Sequence, residues 1–153
     1  MPDKFKPEWK DNSDWLRLSF HANANLPDRP YKRGSFSQVK LEHDRVVNEI
    51  LRFAGEEAFA GPVTTIHWGD VSLEAVRAVR SSGIRALVGS FLYHVPKNLP
   101  RHHYLNAEQC ALLDTYGFYY DKQEDVYFIR YSASIQRTEI DDIAPDFKYF
   151  QKQ

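Results

Sequence analysis

Two histidines and two aspartates stand where chemistry could be done. His21 ends the alternating stretch "WLRLSFH", and His67 ends the β-branched run "VTTIHW". Asp28 lies in the segment after the first stretch and Asp70 in the segment after the second. Two imidazoles and a carboxylate make a plausible set for a divalent first-row ion such as zinc. The same residues also have a quieter explanation. A strand-end histidine often hydrogen-bonds a neighbouring carbonyl, and Asp70 can support a helix start at Ser72. The other histidines are weaker candidates. His43 lies mid-helix between Glu42 and Asp44 and is expected to be partly exposed. His94 follows a third strand, and the adjacent His102 and His103 have diverging side chains. No glycine-rich phosphate cradle, Cys-x-x-Cys pair, zinc-protease helix or Gly-x-Ser-x-Gly elbow occurs, which argues against nucleotide hydrolysis and serine-esterase chemistry.

The elements that must position these residues follow from periodicity. Leu16, Leu18 and Phe20 alternate with Arg17, Ser19 and His21, the period of a strand over 15–21. Ser35 and Gln38 have capping-box spacing ahead of a helix that carries Phe36, Val39, Val46, Ile50 and Phe53, with Gly55 as its stop. The strand "VTTIHW" follows Gly61-Pro62. Ser72 then caps a helix with Leu73, Val76 and Val79 on one face, Gly83 ends it, and "IRALVGSFL" is the next strand. This order predicts parallel βαβ units, whose ligands gather at the C-terminal edge of the strands. Asn106 and Gln109 form a second capping box for a helix ending at Gly117. "FYYDKQEDVYFIRYS" predicts an aromatic-rich hairpin. A last helix is expected from Thr138 and Asp141, with Ile140, Ile143 and Phe147 on one face and a kink at Pro145.

The chain has 153 residues, 20 basic and 21 acidic, a net charge of −1 and one cysteine. These numbers fit a single domain over 1–153, with 1–13 a polar arm or short helix, and give no electrostatic footprint for nucleic acid. Cys110 sits in an apolar helical stretch and is expected to pack as a small hydrophobe. No run approaches a membrane span and no leader-like apolar region is evident at the start, so a cytoplasmic chain that does not engage a membrane is expected. Aromatic residues make up 14%, which slightly favours stacking on flat ligands, although a role in the core is the simpler reading.

The stretches "DWLRLSFHANANLPDRPY", "VKLEHDRVVNEILRFAG" and "PVTTIHWGDVSLEAVRAVRSSGIRALVGSF" resemble the polysaccharide deacetylase (NodB homology) family, in a deacetylase-like branch of it. The likeness covers about residues 14–92 and, loosely, 104–136. It implies an α/β fold, a partial (β/α) barrel of parallel strands with the antiparallel aromatic hairpin appended. It also implies ancestry among hydrolases that cleave the C–N amide bond of N-acetylated carbohydrates, using a divalent metal such as zinc and an aspartate base. His21 matches the first histidine of the family's H-x-x-x-H motif, whose second histidine is replaced by Asn25. His67-Trp68-Gly69 stands where the family has Arg-x-Pro. The Asp-Asp and Leu-x-x-His motifs have no counterpart, so the chain is expected to be incomplete or inactive as an enzyme. On this reading His21 and His67 are the candidate metal ligands, Asp28 and Asp70 the candidate acids or bases, and Trp68, His94 and Tyr31 the candidate substrate contacts. A non-catalytic carbohydrate-binding or scaffold module is the alternative. An unclosed sheet with two open edges further predicts a homodimer.

Overall fold

The computed structural model describes residues 2–24, 26–27, 29–89, 104–130 and 141. The final helix expected from Thr138, along with His94, His102 and His103, lies outside these residues. The N-terminal segment is helical, as a 3-10 turn (Asp3–Phe5) running into α1 (Lys6–Asp11). Helix α1 docks through Trp9, whose ring meets Phe53 edge-on at 6.0 Å.

Helix α2 (Phe36–Phe53) begins where Ser35 Oγ accepts from the Gln38 amide at 3.3 Å. The reciprocal half of the expected capping box is not made, because the Gln38 side chain reaches forward to Glu42 at 3.2 Å. Strand β1 (Val63–Thr64) is followed by α3 (Leu73–Ser81), where Ser72 Oγ accepts from the Ala75 amide at 3.1 Å. Strand β2 is Ala86–Gly89. Helix α4 (Ala107–Tyr116) has both halves of its capping box, each at 2.9 Å, and Gly117 ends it in the left-handed region at φ 75°. Strands β3 (Phe118–Asp121) and β4 (Val126–Arg130) form the hairpin.

The result is a mixed α/β fold around one four-stranded sheet, ordered β1-β2-β4-β3. Strand β2 pairs in parallel with both β1 and β4, and β3 pairs antiparallel with β4. The hairpin is therefore not appended to a parallel sheet but built into it. The reason lies in its alternation: Val126 and Phe128 are fully buried and join Leu87 in the main core, while Tyr127 between them is exposed. That core gathers Val39 of α2, Val76 and Val79 of α3 and Leu113 of α4 against the sheet.

The expected strand over 15–21 shortens to a single parallel bridge between Leu18 and Phe59. Leu18 bonds the Ala58 carbonyl and the Ala60 amide at 2.7 and 2.8 Å. The neighbouring chain then turns at Gly61-Pro62, and proline has no amide to extend the ladder. Contact resumes through a side chain, the Thr64 hydroxyl donating to the Phe20 carbonyl. The apolar rung is buried unevenly as a result, with Phe20 fully enclosed and Leu16 exposed, and Trp15 on the opposite rung is 74% exposed. The strand expected through "VTTIHW" likewise stops at Thr64, and His67–Gly69 form a 3-10 turn. Among the described residues no helix is long and apolar enough to cross a membrane.

Candidate functional site

The alternation that buries Phe20 turns His21 the other way, and the 3-10 turn after β1 brings His67 to meet it. His21 Nε2 lies 2.9 Å from His67 Nδ1, with the two rings nearly perpendicular and their centroids 4.9 Å apart. His21 Nδ1 lies 2.7 Å from the Thr65 carbonyl oxygen. A carbonyl can only accept, so the proton of a neutral His21 sits on Nδ1 and its lone pair on Nε2. His67 Nδ1–H then donates into that lone pair. A third bond, from the His67 amide to the His21 carbonyl at 3.2 Å, locks the two backbones together. Two protons cannot both lie between nitrogens 2.9 Å apart, so the pair holds one shared proton there.

This geometry can be compared with the requirements of a metal. A ligating imidazole usually gives its other N–H to a carbonyl or carboxylate, which is the bond His21 makes to Thr65. A catalytic zinc takes three protein ligands, and among the described residues no three His, Cys, Asp or Glu side chains converge. The described residues thus supply two imidazoles, short of a full ligand set.

Asp70 is placed apart from this chemistry. Its nearly buried carboxylate lies 3.1 Å from Arg29 Nη1 and 3.5 Å from Lys32 Nζ. Its carboxylate neither caps α3 nor partners the histidines in any hydrogen bond described. The start of α3 is held by Ser72 itself, whose hydroxyl also donates to the Gly34 carbonyl at 2.6 Å. Tyr31 is placed in the core instead of on an accessible surface. Its ring is fully buried against Phe20 at 5.6 Å, and its hydroxyl donates to Glu42 at 2.8 Å while accepting from the Asn23 amide at 3.0 Å. Burial first, then the Glu42 carboxylate, raise its pKa well above the usual tyrosine value. The Trp68 backbone belongs to the 3-10 turn; its side chain, Asp28 and His94 lie outside the described residues.

His43 corrects an expectation. It is 3% exposed, packed against the Phe20 ring at 5.2 Å, and burial holds its pKa below the usual histidine value. The spacing contained the signal: Val39, His43, Val46 and Ile50 share one stripe of α2, so the position belongs to the core. Cys110 is packed as expected, and burial pushes its thiol up to about 11. Sequence patterning could not reveal the Thr65 carbonyl, which orients His21 through backbone alone, or the Arg29 and Lys32 cations that claim Asp70. A groove of about 380 Å3 lined by Phe5, Trp9 and Leu16 belongs to the N-terminal helices and includes none of the candidate residues.

With this geometry in place, comparison with known proteins adds no relative: no protein-family model matches the chain, and neither a curated protein nor a solved structure gives a significant match.

Proposed function

We propose that this protein is a polysaccharide-deacetylase-like domain, a partial barrel of that type, which binds an N-acetylated carbohydrate at its histidine pair and does not hydrolyse it as this chain. The observation that carries the reading is the His21–His67 pair, held just beyond the C-terminal end of β1 and oriented by the Thr65 carbonyl. Parallel α/β sheets place their ligands at that edge. In the tautomers that these two bonds set, His67 Nε2 carries the lone pair and is an acceptor, which suits a hydroxyl or the acetamide N–H of an N-acetylated sugar. Hydrolysis of the amide bond would need a positioned carboxylate to activate water. Asp70 is occupied by two cations, which supports the non-catalytic half of the proposal.

The test is a titration of the 15N-labelled full chain with a chitin oligosaccharide, run beside an acetate-release assay with and without added zinc or cobalt. Shifts at the His21 and His67 imidazole nitrogens with no acetate are expected. Silence at both rings would remove the carbohydrate reading. Metal-dependent release that disappears in His21→Ala would make the protein an enzyme and overturn the non-catalytic half.

A further inference from the structure

The two edges of the sheet end differently. Beyond β1 run residues 18–21, held where the Thr64 hydroxyl donates to the Phe20 carbonyl and the His67 amide to the His21 carbonyl. Strand β3 ends the sheet on the other side. Residues facing each other across an antiparallel pair exchange hydrogen bonds in alternation. The Arg130 amide donates to the Gly117 carbonyl at 2.9 Å, and the register continues as Phe118 with Ile129, Tyr119 with Phe128 and Tyr120 with Tyr127. Tyr119 therefore bonds β4, while the main-chain N–H and C=O of Phe118 and Tyr120 point outward. The Tyr127 amide fits this alternation, since it donates away from β3, to the Arg85 carbonyl at 2.9 Å. No hydrogen bond among the described residues uses the outward groups of Phe118 and Tyr120.

This edge lacks the devices that keep sheet edges apart. It has no proline and no bulge, and its one charged residue, Asp121, is buried. The Phe118 side chain is 52% exposed, and Tyr120 is exposed beside it. Helix α4 leads into β3 through Gly117 alone and adds Leu112 and Tyr116, one turn apart and both exposed, Tyr116 at 66%. The chain is 27% charged, yet the run 110–120 holds a single charge, Asp114. Exposed aromatic residues with few charges are the composition of an interface core.

We propose that a second copy of this chain covers this edge, β3 pairing antiparallel with the partner's β3 about a two-fold axis at Tyr119. The outward groups fit that axis because they lie one residue to each side of it. Phe118 exchanges main-chain hydrogen bonds with the partner's Tyr120, and Tyr120 with the partner's Phe118. The same register sets Lys122 opposite the partner's Tyr116, at the C-terminal end of α4. A helix C-terminus favours a cation. The last turn of α4 contains Asp114 and no basic residue, and Arg130 reaches only the Asp114 carbonyl, at 3.4 Å. Lys122 is exposed and has no ion-pair partner among the described residues. The two sheets join into one, and the contact is isologous, so it closes at two copies.

Light scattering across a concentration series tests this on the parent chain, on Tyr120→Pro and Phe118→Lys, and on Leu41→Lys, an exposed position of α2, as the control. The parent and the control are expected to reach a dimer mass. Proline at 120 removes an outward N–H from each copy and spares the β4 ladder, so the dissociation constant should rise about tenfold or more. Phe118→Lys places a charge on the edge and should weaken the dimer likewise; it decides the matter if circular dichroism shows that the proline disturbs the fold. Tyr119→Cys reads the register. At the axis the two thiols face each other across a separation that a disulfide spans, and Cys110 is buried, so mild oxidation should give a covalent dimer. A parent chain that stays monomeric at every concentration would overturn the proposal. So would a dimer that Phe118→Lys leaves unchanged, which would place the contact on another surface. A dimer that Tyr119→Cys does not cross-link would refute the two-fold register.

Discussion

His43 makes the stability of this fold sensitive to mild acid. Its Nδ1–H donates to Asp44 at 3.2 Å, so the lone pair of the neutral ring lies on Nε2, a buried atom with no hydrogen-bond partner among the described residues. Protonation would place a charged N–H among apolar groups, which is why burial lowers the pKa from 6.5, more than the opposing pull of Asp44 raises it. The unfolded chain therefore binds a proton below about pH 6.5 that the folded chain refuses. Stability is fully present above that pH and falls as pH drops toward the lowered folded value, by at most about tenfold in the folding equilibrium per pH unit. Carboxylates with lowered values, such as Asp44 and Asp125, begin to act only below their unfolded value of 3.8. Replacing the ring by His43→Leu removes an unsatisfied buried acceptor worth about 1–3 kcal/mol and gives up one hydrogen bond worth about 0.5–1.5 kcal/mol. The variant should range from neutral to about 2 kcal/mol more stable at pH 7.5, with Tm higher by up to roughly 8 °C. Urea unfolding of both proteins at pH 7.5, 6.5, 5.5 and 5.0 measures this. The variant should show a shallower loss of stability between pH 6.5 and 5. An unchanged acid slope, or a loss of more than about 2 kcal/mol at pH 7.5, would refute the reasoning.

Other perturbations probe the supports of the site. Tyr31→Phe leaves the Asn23 amide and Glu42 without the hydroxyl between them, and should cost about 1–3 kcal/mol by chemical denaturation. A negligible change would show that water replaces both bonds. Gly117→Ala meets no neighbouring atom but must adopt φ +75°, so a loss of about 1–2 kcal/mol is expected from backbone conformation alone, read as a lower Tm. The Cys110 thiol, buried and raised to about 11, should react with Ellman's reagent at pH 8 only as fast as the protein opens; immediate stoichiometric reaction would contradict its packing.

Local signals in the chain were strong wherever a few neighbouring residues set the outcome. Ser35, Ser72 and Asn106 start their helices because a short side chain satisfies an amide two or three residues on, whatever the tertiary surroundings. Gly83 and Gly117 sit at the ends of helices with positive φ, a conformation that L side chains resist. The hairpin was legible from two aromatic runs around a charged turn.

What the tertiary structure decided is set by partners distant in sequence. Alternation over 15–21 described a strand, but a strand also needs a continuous neighbour, and Pro62 interrupts the one available. Nothing within the hairpin announced that β4 would pair with β2 in parallel; that follows from Phe128 finding Leu87 and the helices of the core. The carboxylate of Asp70 was visible in the chain, whereas its occupation depends on Arg29, 41 positions away. Likewise each histidine was conspicuous alone, but the bond between them spans 46 positions and rests on the Thr65 carbonyl. Short-range capping and φ preferences are properties of the local chain and are written in it. Pairing, burial and the use of a charge depend on which distant groups arrive, and only the folded arrangement settles them.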